Sequence, residues 1–115
     1  MTVQEIVDKL GMKPITALSK LSQELSGGYV SDLLSDVMAN AQAGDLWITL
    51  QTHQNIVAVA SLKEIAAIII IGGREPERAT LTKAEEESIP LLLTELPAFE
   101  VVGRLYQMGI SGQRG

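Results

Sequence analysis

The sequence predicts an α/β fold: a single three-layer α/β/α domain with a mostly parallel sheet of four to five strands. Two observations carry the prediction. Helix and strand signals alternate along the chain, and the run "AIIII", Ala67 to Ile71, has no polar alternation, as expected of a parallel strand covered on both faces. A chain of 115 residues that is 46% hydrophobic suits one modest core. Its only aromatic residues are Tyr29, Trp47, Phe99 and Tyr106, so Ile, Leu, Val and Ala must fill that core. The expected division is one domain over residues 1–110 and a flexible C-terminal tail over 111–115.

Thr2 and Glu5 form a capping-box pattern, and Val3, Ile6, Val7 and Leu10 follow at helical spacing before Gly11, which predicts a compact first helix. Pro14 opens an extended segment around Ile15 to Leu18, and a strand is expected near Leu25 to Val30. Ser31 can cap a second helix whose apolar face is Leu33, Leu34, Val37, Met38 and Ala41, closed by Ala43-Gly44-Asp45. "DLWITLQ" reads as a strand with Leu46, Ile48 and Leu50 alternating against Trp47, Thr49 and Gln51.

"HQNIVAVASLKEIA" suits either a strand or a helix by composition. The sixteen residues from Gln51 to Ala66 decide for a helix, because a parallel pairing needs a crossover of roughly a dozen residues or more. After the central strand, "GGREPERATLTKAEEESI" supplies a glycine loop and a charged surface helix, and "PLLLT" another buried strand. In the last helix Phe99, Val102 and Tyr106 are expected to face the core, with Gly109 as a left-handed stop closed by Ile110.

The net charge of -5 without a basic cluster argues against nucleic acid or an anionic membrane as partner. The absence of cysteine removes disulfides and thiolate chemistry. The longest apolar run is far short of the ~20 residues that span a bilayer, and the acidic, amphipathic N-terminus lacks the form of a signal peptide. The chain reads as a soluble cytoplasmic protein needing no cofactor.

Ligands of such sheets bind beyond the carboxyl ends of the strands. The loops expected there contain Gly27-Gly28; Gln51-Thr52-His53-Gln54-Asn55; Gly72-Gly73-Arg74-Glu75; and Thr94-Glu95. From them the candidate ligand-binding residues are Gly27, Gly28, Thr52, His53, Asn55, Gly72, Gly73, Arg74 and Thr94.

Adjacent glycines such as Gly27-Gly28 could cradle an anion, but they more often mark a bend or close packing. Neither GxGxxG nor GxxxxGK[ST] is present. Arg74 could meet a phosphate or carboxylate, or lie in solvent. His53 could serve as an acid–base catalyst or a hydrogen-bond donor but has no partner constellation, and Thr52 reads as a helix cap. Glu85-Glu86-Glu87 point in different directions on a helix and read as a solvated face, while Ser31 and Ser35 lack a GxSxG context. No catalytic residue and no metal site are assigned. "NIVAVASL" is apolar on nearly every side, so Ile56, Val57, Ala58, Ala60 and Ser61 could be domain core or could form a homodimer contact, the reading adopted.

"GGYVSDLLSDVMA", "GDLWIT", "THQNIVAVA" and "IIGG", within a span that continues through "AEEESIPLLLTELPAFEVVGRLYQMGI", resemble the DRTGG domain over nearly the whole chain. The naming motif is degenerate: Glu24-Leu25-Ser26-Gly27-Gly28 keeps both glycines and a hydroxyl but lacks the aspartate and arginine. DRTGG domains are similar to the N-terminal domain of HPr kinase/phosphorylase and occur as accessory modules in some phosphotransacetylases and between CBS domains in some pyrophosphatases. The resemblance implies a non-catalytic α/β module for regulation or oligomerisation, and transfers no catalytic residue. The expected function is therefore regulatory, through self-association as a dimer or through a protein partner, with the sensing of a small ligand left open. The alternatives are a dedicated receptor for a nucleotide or phosphorylated metabolite and, last, an enzyme using His53.

Overall fold

A computed structural model describes residues 1–113. The elements in chain order are α1 (Val3–Leu10), β1 (Lys13–Pro14), a 3-10 turn (Leu18–Lys20), β2 (Gly27–Val30), α2 (Leu34–Asn40), β3 (Asp45–Thr49), α3 (Asn55–Lys63), β4 (Ala67–Ile70), α4 (Arg78–Glu86), β5 (Leu91–Leu93) and α5 (Ala98–Gln107). They form an α/β domain around one five-stranded sheet of order β1-β5-β4-β3-β2. Strands β2 to β5 run parallel, with Gly27 opposite Asp45, Leu46 opposite Ala67 and Ile68 opposite Leu91, and β1 joins β5 antiparallel, with Lys13 opposite Leu93.

The alternation in β3 separates two cores rather than core from solvent. Leu46 and Ile48 point to one face, with Ile69 and Leu92, under α1 (Val3, Ile6, Val7) and α5 (Val101, Leu105). Trp47 points to the other, with Ile68, Ile70 and Leu91, under α2 (Val37), α3 (Ile56, Val57, Ala60) and α4 (Ala84). Every residue of β3 and β4 is buried. Thr49 is therefore inside, and the polar atoms there are partnered. The Trp47 Nε1–H donates to the Ser31 carbonyl at 2.9 Å, and the buried Asp45 carboxylate accepts from the Gln42 amide at 2.9 Å and the Gln113 side chain at 2.6 Å.

Local chemistry explains the helix ends. Thr2 and Glu5 make the reciprocal capping box, and Gly11 takes the left-handed conformation at φ +64°. α2 departs from expectation. Its N-cap is Leu33, and Ser31 instead closes a short turn in which its hydroxyl accepts the Leu33 amide at 3.1 Å. Only Val37 and Ala41 of that helix's apolar residues are buried, while Leu33 and Met38 are exposed. The segment expected to be extended from Ile15 to Leu18 bends at Ala17 into the 3-10 turn, because buried Thr16 bridges to the start of β5, donating to the Ile89 carbonyl at 2.7 Å and accepting the Leu91 amide at 2.9 Å.

In α5 the assignment of faces is reversed: Val101 and Leu105 are buried, and Phe99, Val102 and Tyr106 are exposed. Gly109 ends the helix at φ +95°, and Ile110 packs back on the core. In the segment expected to be loose, the Ser111 carbonyl accepts the Gly28 amide and Gln113 reaches Asp45, while residues 114 and 115 lie outside the described residues. No helix among the described residues is long and apolar enough to cross a membrane.

β2 and α2 are joined by an ionisable contact. The Tyr29 hydroxyl lies 2.8 and 2.9 Å from the two oxygens of Asp36, and Asn40 Nδ2 donates to the same carboxylate at 2.9 Å. The Ser31 and Tyr29 hydroxyls and the Asn40 amide hold the Asp36 carboxyl below the ordinary carboxylate range, and the bond to Asp36 holds the Tyr29 hydroxyl above its own. Because the folded pKa of Asp36 is depressed, its contribution is present above the unfolded pKa and is lost as pH falls through the folded value. Thermal melts should show Asp36→Asn less stable than the native chain at neutral pH, with the gap narrowing as pH falls below about 4. A gap independent of pH would show that the carboxylate charge is not what holds α2.

Candidate functional site

Strand β4 is followed by chain that crosses to α4 on one face, and β5 by chain that crosses to α5 on the other. The two connections diverge at the carboxyl edge and leave a crevice between them, the position where open α/β sheets bind ligands. The cleft there has a volume of about 240 Å3 and is lined by Gly11, Lys13, Gly73, Arg74, Glu75, Leu93, Thr94 and Glu95.

Its floor is stitched from backbone. Gly72 and Gly73 both take positive φ, +67° and +71°, which turns the chain sharply beyond β4. The Gly72 amide then donates to the Leu96 carbonyl at 2.9 Å and the Gly73 amide to the Thr94 carbonyl at 3.0 Å. The Thr94 hydroxyl accepts the Leu96 amide at 3.2 Å, and a side chain at Gly73 would collide with the Glu95 carboxylate. These glycine amides are committed to the neighbouring loop, so ligand contacts fall to side chains. Lys13 and Arg74 can hold a phosphate or carboxylate, Arg74 in the bidentate manner of a guanidinium. Glu75 and Glu95 on the same rim offset that positive charge and disfavour a highly charged anion.

Of the nine ligand candidates, the crevice brings together Gly73, Arg74 and Thr94, with Gly72 beside them. Thr52, His53 and Asn55 lie apart from it, at the start of α3. The His53 Nδ1 accepts the Asn55 amide at 3.1 Å, a local turn contact on an exposed ring. Thr52 uses its carbonyl rather than its hydroxyl, accepting the Glu77 amide at 3.2 Å and the Thr80 hydroxyl at 2.6 Å, so it anchors α4 instead of capping α3.

Gly27 and Gly28 are not in a loop after a strand: they are the first residues of β2, at the opposite edge of the sheet. A Cβ on Gly27 would lie 2.8 Å from the Ser111 carbonyl oxygen, so glycine is required there by close packing. The Gly28 amide is occupied by the same Ser111 carbonyl at 3.1 Å.

Among the proposed dimer residues, Ile56, Val57 and Ala60 belong to the domain's own core, and Ala58 and Ser61 are exposed. Sequence reasoning missed Lys13 and Gly11. A two-residue antiparallel strand has no periodicity to reveal it, and the only local sign is a lysine between a helix-stopping glycine and Pro14. It also missed Asp32, whose Oδ1 accepts the Thr49 hydroxyl at 2.8 Å and the Leu50 amide at 2.7 Å, tying the loops after β2 and β3 together.

Comparison with known proteins places this geometry. No curated protein sequence matches the chain. Among solved structures, one match is the CBS and DRTGG domains of the regulatory region of Clostridium perfringens pyrophosphatase, complexed with its activator, diadenosine tetraphosphate. The identity is 16% and the TM-score 0.70, over 96% of this chain and 47% of that one, a likeness of fold in which this chain spans about half the other's length. The model of the DRTGG domain matches residues 5–108, which include all five strands and the helices from Glu5 to the end of α5. The chain belongs to the DRTGG domain family.

Proposed function

We propose that this domain is a non-catalytic regulatory module that acts by self-association. The observation that carries this reading is the outer face of α5. Phe99 is 90% exposed and Tyr106 69%, beside Val102 and Val30, although the core beneath is complete without them. Large aromatic side chains are expensive to leave in water and are enriched where one protein meets another. The regulatory setting of the pyrophosphatase domains with the same fold is consistent with such a role.

The crevice between β4 and β5 supports a second reading, reception of a nucleotide or phosphorylated metabolite. Its lining joins Lys13 and Arg74 with a threonine hydroxyl, and its 240 Å3 fits one phosphate-sized group rather than a whole nucleotide. In this reading Arg74 and Lys13 hold the anionic group while the remainder of the ligand lies outside the cleft.

Sedimentation velocity over a concentration series should show reversible association of the native chain. Phe99→Asp should weaken it at least tenfold, about 1.4 kcal/mol, with thermal stability unchanged to within about 0.5 kcal/mol because the side chain is exposed. A native chain that stays monomeric throughout removes the first reading. For the second, a ligand at ~100 times its dissociation constant should stabilise the native state by about 2.7 kcal/mol. Thermal-shift screening against nucleotides and phosphorylated metabolites should find such a ligand, and Arg74→Ala should abolish its effect. A shift that survives both Arg74→Ala and Lys13→Ala places the ligand elsewhere.

A further inference from the structure

Resting on the self-association just proposed, we infer that two copies of the chain pair through α5 in an antiparallel, two-fold arrangement whose axis passes beside Gly103. On a helix turning about 100° per residue, the buried Val101 and Leu105 define the inner side, and Gly103 falls almost opposite them. Phe99 lies one turn before it and Tyr106 one turn after. The result is an open hollow of about 690 Å3 with Gly103 at its floor, the two aromatics at its ends, and Val102 and Val30 along one side.

Gly103 is the informative residue. Glycine is a poor choice for a helix interior, and a Cβ built there meets no atom within 4 Å. Nothing inside the domain calls for its small size. A helix crossing over it does, because the distance between packed helices is set by the side chains at their contact.

The charges on the other side of the hollow specify the occupant. Glu100 and Arg104 are exposed one turn apart on that flank. In a two-fold antiparallel pair, each flank faces the same flank of the second copy in reversed order. Glu100 then opposes Arg104 of the partner subunit, Arg104 opposes Glu100 of the partner subunit, and Phe99 lies against Tyr106 of the partner subunit. A parallel two-fold pairing would instead set the Glu100 and Arg104 flank against the Val102 flank of the second copy, leaving both charges without an opposite partner. The surface is thus complementary to itself in one orientation.

Its size agrees with a reversible dimer. Phe and Tyr bring about 150–250 Å2 each, so the four aromatics cover roughly 600–1,000 Å2. Val30 and Val102 bring the total to about 1,000 Å2, just under the roughly 1,200–2,000 Å2 of stable specific interfaces, the size of a weak and reversible pair.

Charge reversal between two variants tests the pairing. Glu100→Arg alone and Arg104→Glu alone should each weaken self-association about tenfold in sedimentation equilibrium, since each homodimer then faces like charges twice. An equimolar mixture of the two should recover the native affinity, because each unlike contact is restored between chains; no change within one chain can produce that recovery. Gly103→Ala should raise the melting temperature at concentrations where the chain is monomeric and yet weaken association. The arrangement is overturned if the mixture is no tighter than either variant alone, or if neither substitution changes an association that the native chain does show. A native chain that remains monomeric would instead overturn the self-association on which the arrangement rests.

Discussion

The whole domain depends on burying both faces of β3 and β4. Crossovers between parallel strands are right-handed, and here β2, β3, β4 and β5 are laid down side by side in one direction, so α2, α3 and α4 all arrive on the same face. That leaves Leu46, Ile48, Ile69 and Leu92 on a face that no crossover reaches. The two ends of the chain supply the cover. α1 brings Val3, Ile6 and Val7 before the first parallel strand exists, and α5 brings Val101 and Leu105 after the last. Burial of aliphatic surface, at about 25 cal/mol per Å2, is what draws the termini there.

Both candidate functional surfaces follow from this arrangement. To reach the uncovered face, the chain after β5 must turn the opposite way from the chain after β4, and the crevice lined by Arg74 and Thr94 is the gap between those departures. Because α5 is the outer layer of its face, it is covered on one side alone. Its outward residues, Phe99, Gly103 and Tyr106, answer to no packing constraint inside the domain.

Elements whose cause is local were legible in the sequence. The first helix is specified by Thr2, Glu5 and Gly11, all within ten residues, and the central strand by an unbroken aliphatic run. Features that depend on distant chain were not. In α5, two apolar stripes are interleaved, Phe99-Val102-Tyr106 and Val101-Leu105, both at helical spacing. Hydrophobicity favours the larger set, whereas the space between helix and sheet admits the smaller. Gly27-Gly28 shows the same limit: a glycine pair before a helix suggests a loop, yet the residues sit in β2, where Gly27 is small because Ser111 passes over it from the far end of the chain. Lys13 enters the crevice because β1 pairs with β5 and Thr16, two residues beyond β1, ties that segment to Ile89 and Leu91.

The two surfaces are also joined by the shortest possible connection. Thr94 and Glu95 line the crevice, Pro97 is the N-cap of α5, and Phe99 is the second residue of that helix. The intervening Leu96 is held at both backbone groups, its amide by the Thr94 hydroxyl and its carbonyl by the Gly72 amide. Thr94 and the glycine turn are thus linked to the start of α5 through hydrogen bonds to the backbone of Leu96. Coupling between two sites requires only that a ligand bind one arrangement of a shared element more tightly than another. The segment from Thr94 to Pro97 is shared in this sense, since it forms one wall of the crevice and sets the direction in which Phe99 is presented.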